Sequence, residues 1–472
     1  MTHQKDFSAR FLPTIIAWVS FLFFCAGLPA QDISGSWTGS LSLPGMELTL
    51  VFHLNQTEDG WTATMDSPDQ HATGIPASSV SFETPDLRIE IQNGLIEFEG
   101  KWKDDDSIEG TFRQSGMSFP LHLKKGIPDT KPASRPQTPE PPFPYKNEEI
   151  RFSNPKAGNI SLAGTLTLPP GSSSFPAVIL ITGSGPQDRD ETIFDHKPFL
   201  IISDYLTRKG IAVLRFDDRG TAESEGIFST ATTADFATDV EAAVAYLKGR
   251  KEIDPARIGL IGHSEGGIIA PMVAAANSDI AFIILLAGPG YPGAEILLMQ
   301  NEALGRASGI PEDQLQKLQK TNREAYKRII TGGHDSEIKQ DLTNLLTTAL
   351  PDDLPEEDKQ NQAEAQTREL MSPWMRYFLK NDPTDYLKNV RCPVLALNGE
   401  KDLQVPARQN LEVIENTLLE AGNDQVTIRS YEGLNHLFQE AETGLPVEYG
   451  QIEMTFSPEV LEDISEWILK VL

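Results

Sequence analysis

Cysteine is almost absent from this chain: Cys25 and Cys392 are its only two in 472 residues. Removal of a leader through residue 30 would leave Cys392 alone, so no intrachain disulfide could form and stability would have to come from ordinary apolar cores, which a chain of this size can bury. Positive charge is also scarce. Lys and Arg number 40 against 68 Asp and Glu, a formal net charge of -28; the summed field repels nucleic acid phosphates and anionic membrane surfaces, so neither is an expected partner. The acidity fits a soluble surface and names no substrate. Long apolar runs are missing except at Phe11 to Ala26.

That run follows Lys5 and Arg10 and gives way to small residues up to Ala30, the order of a secretory signal over 1–30. It is short and closes in Gly27-Leu28-Pro29-Ala30-Gln31, which fits a cleaved leader better than a retained anchor. Phe23 and Phe24 stand before Cys25, where a lipoprotein signal needs small residues. The expectation is export to the periplasm or beyond, with no lipid and no stable membrane insertion.

From Ile33 to about Lys125 the sequence reads as short alternating strands. In "MELTLVFHL" Leu48, Leu50 and Phe52 alternate with Thr49 and Val51, and "LRIEIQ", "LIEFEG" and "SIEGTF" repeat the period of two. The span 31–125 is therefore expected to form a small antiparallel β-barrel or sandwich. Asp104 to Asp106 read as an Asp-rich hairpin turn rather than a metal site. Prolines 128, 132, 136, 139, 141, 142 and 144 then leave no room for helix or ladder, so 126–148 is expected to be an extended, semi-rigid linker.

After Glu149 the rhythm changes. "FPAVILITGSG", "GIAVLRFD", "RIGLIG", "IAFIILLAG", "CPVLALNG" and "VTIRSYEG" are apolar strands alternating with helical patterns, such as Phe236, Val240, Val244 and Leu247 ending near Gly249. This predicts a mostly parallel α/β sheet over 149–472, with ligands at the carboxyl ends of its strands. The rhythm stops between residues 291 and 390, a span too long for a loop in a compact domain, so a helical cap is expected there. Its apolar residues Leu297, Leu298, Trp374, Tyr377 and Phe378 could line a pocket or form the cap's own core. Pro271 should kink the helix it lies in or fray its first turns.

Gly262-His263-Ser264-Glu265-Gly266 is G-x-S-x-G between a buried strand and a helix, the setting of a nucleophile elbow. A serine hydroxyl needs a base, and the chain order of such sites is Ser, acid, His. Of His196, His263, His334 and His436, His436 alone has that order and a loop after the final strand. Asp402, past Gly399 at the end of a buried strand, is the expected orienting acid, with Glu400 as the fallback. The developing oxyanion needs donors: the N–H of Glu265, and one from "ITGSGPQDRD", where Ser184 is favoured, Gly185 is next, and Gly183 lets the backbone lie close. "GSG" is not a phosphate cradle, because the spacing G-x-G-x-x-G is absent.

The opening "GSWTGSL" and the later "GKWKDDDSIEGTF" resemble lipocalin-like β-modules that precede bacterial hydrolase domains. Residues 150 to 472 resemble an α/β-hydrolase of the esterase and serine-aminopeptidase type, on "ITGSGPQDRDE", "LRFDDRGTAESEG", "GHSEGG", "NGEKDLQVP" and "GLNHLF" in that order. The resemblance implies a serine hydrolase with Ser264, Asp402 and His436 as triad and no metal or organic cofactor. It departs at Ala222, where related chains commonly carry glycine. The expected substrate is a small carboxylic ester, with a short peptide as the alternative for an aminopeptidase; a binding protein on a dead hydrolase fold is disfavoured by the intact Ser, Asp and His.

Overall fold

The computed structural model describes residues 32–472 apart from 44–45, 58–59, 69–71, 92–95, 115–116, 128–133, 172–173 and 352–353. The leader expected at 1–30, Cys25, Pro128 and Pro132 lie outside the described residues.

Among these residues the first sheet is a closed barrel of β1 (Gly35–Leu43), β2 (Met46–Thr57), β3 (Gly60–Ser67), β4 (Ala72–Glu83), β5 (Asp86–Ile91), β6 (Ile96–Asp104), β7 (Ser107–Gln114) and β8 (Met117–Lys125). Each strand pairs antiparallel with the next, and β8 returns to β1 at Trp37↔Lys125. The alternation explains the closure: Leu48, Leu50, Phe52 and Leu54 of β2 point into one core with Trp37, Phe98 and Phe112. Trp37 is fully buried, and its indole N–H donates to the Ile33 carbonyl at 2.7 Å. Asp104 accepts from the Asp106 N–H and the Ser107 hydroxyl in a tight turn.

The second sheet holds β9 (Lys146–Asn154), β10 (Ile160–Leu168), β11 (Phe175–Ile181), β12 (Ala212–Phe216), β13 (Ile253–His263), β14 (Ile280–Leu286), β15 (Val394–Gly399) and β16 (Val426–Tyr431), in the order β9-β10-β12-β11-β13-β14-β15-β16. From β12 to β16 the strands are parallel; β9 and β10 form an antiparallel edge. That edge went unread in the sequence, and β9 begins within the stretch assigned to the linker.

Side chains of one strand feed two apolar layers. Ala177, Ile179 and Ile181 of β11 join the layer of α2 (Thr233–Lys248), α3 (Gly266–Ala276) and α10 (Ala407–Glu420). Val178 and Leu180 join the layer of α1 (Pro198–Arg208) and α11 (Pro458–Val471). A strand covered on both faces needs apolar residues at every position, which is why these segments read as continuous runs. Helix α2 is closed by a capping box in which Thr232 and Asp235 satisfy each other's backbone donors.

The cap comprises α4 (Gly293–Ala307), α5 (Glu312–Thr331), α6 (Asp335–Ala349), α7 (Glu356–Leu370), α8 (Pro373–Phe378) and α9 (Thr384–Leu387). Leu298, Tyr326, Ile329, Ile338 and Leu342 give it a core of its own.

Two expectations need correction. The first turns of helix α3 are not frayed, and the helix is continuous through Pro271; the proline removes one N–H, and the helix is held by burial of Ile269 and Val273 against the sheet and of Ile268 against Ile296 and Phe378 of the cap. The segment expected as an extended, semi-rigid linker over 126–148 is tied to neighbouring loops along its second half. Arg135 donates to the carbonyls of Phe194, Gly450 and Ile452, at 2.8 to 3.2 Å. Gln137 bonds Phe456 O and accepts from the N–H groups of Thr455 and Phe456, and Tyr145 donates to Asp204. Prolines deny this segment its own ladder, so its side chains bind the neighbouring loops instead.

Candidate active site

Strand β13 ends at His263, and the chain turns at Ser264, whose φ is +53°. L-residues rarely occupy that left-handed conformation, and here the turn is enforced by crowding: a Cβ at Gly262 would lie 1.9 Å from Gly266 O, and one at Gly266 would lie 2.3 Å from Ile181 O. The Ser264 N–H is fixed to Leu286 O at 2.9 Å. The hydroxyl is thereby presented at the carboxyl edge of the sheet. Among the described residues it takes no hydrogen-bond partner, so the contact from nucleophile to base is not made in this conformation, as is common before substrate binds.

Asp402 and His436 are brought together from the loops after β15 and β16. His436 Nδ1 lies 2.7 Å from Asp402 Oδ2, with both side chains buried. The other carboxylate oxygen of Asp402 accepts from the N–H groups of Gln404 and Val405, each at 2.8 Å. Asn435, fully buried, holds the His436 loop by accepting from Leu437 N and Gln439 N. Glu400, the fallback acid, points away to the exposed hydroxyl of Ser430. His196 is a buried tie, bonded to Thr455 and to Tyr449 O, and His334 stands in the cap, at the N-cap position of α6 with no side-chain capping bond.

The loop after β11 meets the elbow directly. A Cβ at Gly183 would come within 3.2 Å of Ser264 Cβ, so glycine there permits the approach. Ser184, Ser264 and Glu265 line one cavity of ≈ 50 Å³ with Ile296, Leu297 and Trp374. Among the described residues the N–H groups of Ser184 and Glu265 take no partner. Gly185 has φ +97° and is not part of that lining. The cap residues separate: Leu297, Trp374 and Phe378 face this cavity, Leu298 belongs to the cap core, and Tyr377 lies beside Tyr386 at 3.4 Å between hydroxyls.

Buried carboxylates that the sequence reading missed brace this arrangement. Asp218 accepts from the Thr182 hydroxyl and Gln187 N, on either side of the loop. Burial pushes its carboxyl up to about 8, against the pull of those two bonds. Glu191 accepts from Gly183 N at 2.8 Å and lies 2.9 Å from His263 Nδ1. Burial alone would lower the His263 imidazole; Glu191 reverses this and leaves it above its ordinary value. Glu265 accepts from Thr233 and Trp374, and burial holds its carboxyl above the usual range. Among the described residues no group of three or more His, Cys, Asp or Glu could hold a metal ion.

A doubly covered, mostly parallel sheet, a strained serine between β13 and α3, and an acid and histidine on later loops define an α/β-hydrolase. The profile of the family described as serine aminopeptidase, S33, matches residues 199–442. The chain belongs to that family. It is also similar to Esterase EstD of Thermotoga maritima, 30% identical over 316 residues, 66% of this chain and 66% of that protein. The chain thus spans slightly less than two thirds of that relative. Among solved structures, an esterase of Pyrococcus furiosus, Pf2001, is 15% identical with a TM-score of 0.41, covering 69% of this chain and 93% of that one. Est1E of Butyrivibrio proteoclasticus, with ferulic acid bound, is 17% identical with a TM-score of 0.39, covering 68% and 98%.

Proposed function

We propose that this protein is an exported serine carboxylesterase that cleaves small, uncharged esters through an acyl-enzyme on Ser264. The observation that carries the reading is the lining of the cavity at Ser264. Ile296, Leu297, Phe378 and Val405 make it apolar, Gln300 and Gln404 are neutral, and its carboxylate, Glu265, is already engaged by Thr233 and Trp374. An aminopeptidase must pair a free α-amine with a carboxylate, and no unengaged one lines this cavity. The volume of ≈ 50 Å³ suits a short acyl group. The name of the Thermotoga relative agrees with an ester substrate, and the leader-like residues 1–30 support export.

In this scheme His436 takes the Ser264 proton as the hydroxyl oxygen bonds to the ester carbonyl carbon. Asp402 holds the imidazole tautomer and stabilises the imidazolium. The N–H of Glu265 and that of Ser184, with Gly185 beside it, hold the oxyanion. Collapse of the tetrahedral intermediate breaks the ester C–O bond, and His436 gives the proton to the leaving alcohol. Water then repeats the sequence and frees the acid. No metal or organic cofactor enters these steps.

The test is hydrolysis of p-nitrophenyl acetate, butyrate and octanoate beside an alanine p-nitroanilide, with Ser264→Ala as control. Turnover of the short esters, loss in the variant and little anilide cleavage are expected. Faster anilide cleavage would make it a peptidase, and silence without fluorophosphonate labelling of Ser264 would remove the enzyme reading. N-terminal sequencing of periplasmic and medium fractions checks export: a start near Gln31 is expected, and retention of intact Met1 in the cytoplasm counts against it.

A further inference from the structure

His263 precedes the nucleophile and takes no part in the proposed chemistry, yet it is buried at the meeting point of three loops. Its Nε2 lies 3.0 Å from the carbonyl oxygen of His436. A carbonyl can only accept, so Nε2 carries a proton. Its Nδ1 lies 2.9 Å from Glu191 Oε1, the same oxygen that accepts from Gly183 N at 2.8 Å. An oxygen already accepting an amide N–H is better placed as carboxylate than as acid, so Nδ1 carries a proton too. Both ring nitrogens then donate, which neutral imidazole cannot do.

We infer that His263 is a positioning residue that works as a buried imidazolium: paired with Glu191, it holds the backbone of His436 and, through Glu191, the Gly183 N–H of the loop that carries Ser184. The inference rests on the reading of His436 as general base. One ion pair thus ties the serine's own strand to the loop of its base and to the loop of its oxyanion donors. Loss of the His263 charge removes one of two donors, so either the His436 carbonyl or Glu191 loses its bond to the ring in a buried setting.

The rings of His263 and His436 are 4.8 Å apart, with Glu191 on Nδ1 of His263 and the His436 carbonyl on Nε2. The titratable groups facing His263 are Glu191, Asp402 and His436, and Asp218 faces Glu191 from the next loop. The rest of its surroundings are apolar: Phe199 and Ile202 of α1, Leu286 of β14, Leu437 and Phe456.

Two measurements test this. In the wild-type protein with 15N-labelled histidine, the His263 ring, assigned through His263→Gln, should show both nitrogens protonated at neutral pH. One unprotonated nitrogen there overturns the inference, whether or not the protein turns over esters. Glu191→Gln keeps an acceptor for Gly183 N but removes the charge. Its expected effect is a fall in kcat of about tenfold on p-nitrophenyl acetate with KM little changed, because the base and the oxyanion loop lose their shared anchor while the substrate pocket keeps its lining. A folded Glu191→Gln protein with unchanged kcat overturns it as well. Failure of the esterase reading looks different: no ester turnover and no labelling of Ser264, with the His263 ring still doubly protonated.

Discussion

The indole N–H of Trp374 reaches both carboxylate oxygens of Glu265, at 2.9 and 3.1 Å, so a side chain of the cap grips the residue next to Ser264. Trp374 also stacks on Phe378, with ring centroids 4.9 Å apart. Trp374→Phe keeps the apolar wall and deletes the donor. A buried carboxylate left short of a partner costs about 1–3 kcal/mol, so a lower urea midpoint is expected, together with a raised KM for p-nitrophenyl butyrate. Wild-type values for both would show that the contact fastens nothing.

Asp402→Asn tests the base's orientation. The amide still accepts from Gln404 and Val405, but it no longer offers a charged acceptor at His436 Nδ1, 2.7 Å away. A fall in kcat of roughly four orders of magnitude is expected, the scale seen when a triad acid becomes an amide. Stopped assays with p-nitrophenyl acetate measure it. Glu400→Gln should leave the rate near wild type, since Glu400 faces Ser430.

Ala222 has φ +46°, in the region that favours glycine. The departure from related chains therefore sits at a strained position. Ala222→Gly relieves the left-handed penalty while adding chain entropy to the unfolded state, and the net expectation is a gain of about 0.5–1 kcal/mol in urea unfolding. Ester turnover should not change.

Asp218 provides a pH test. Its carboxyl is raised to about 8 in the folded protein, against about 4 when unfolded. Between those values the native state holds a proton that the unfolded state has released, so this group makes stability fall as pH rises from about 4 to 8 and adds no further loss above. Asp218→Asn removes the proton and should flatten that decline. Urea midpoints of both proteins across the interval measure it, and parallel curves would refute the assignment.

What was legible in the sequence were segments whose local pattern and chemistry coincide. Ser264 and Asp402 each follow a strand whose residues are apolar on both faces, and those strands announce their own ends; His436 follows the half-exposed edge strand β16 and was legible from its place in the chain order. The β9 and β10 edge was legible in principle: Ile150, Phe152 and Asn154 alternate with exposed positions. It was masked by the prolines just before it. Glu191 carried no local signal, because its importance comes from His263, 72 residues away. Likewise the neighbours Leu297 and Leu298 are equally apolar, and only the rotation of α4 brings the first to the cavity wall, at the edge of the cap core, while the second is buried within that core.

The grip of Arg135 on Phe194, Gly450 and Ile452 shortens the leash on the barrel. Nine residues, 126–134, lie between Lys125, at the end of β8, and that anchor, and fully extended the span reaches roughly 35 Å. Two bodies tied so closely meet at an effective concentration in about the millimolar range, however dilute the protein. A contact too weak to bring the barrel and the hydrolase together as separate chains would therefore count here as an intramolecular one, at any protein concentration.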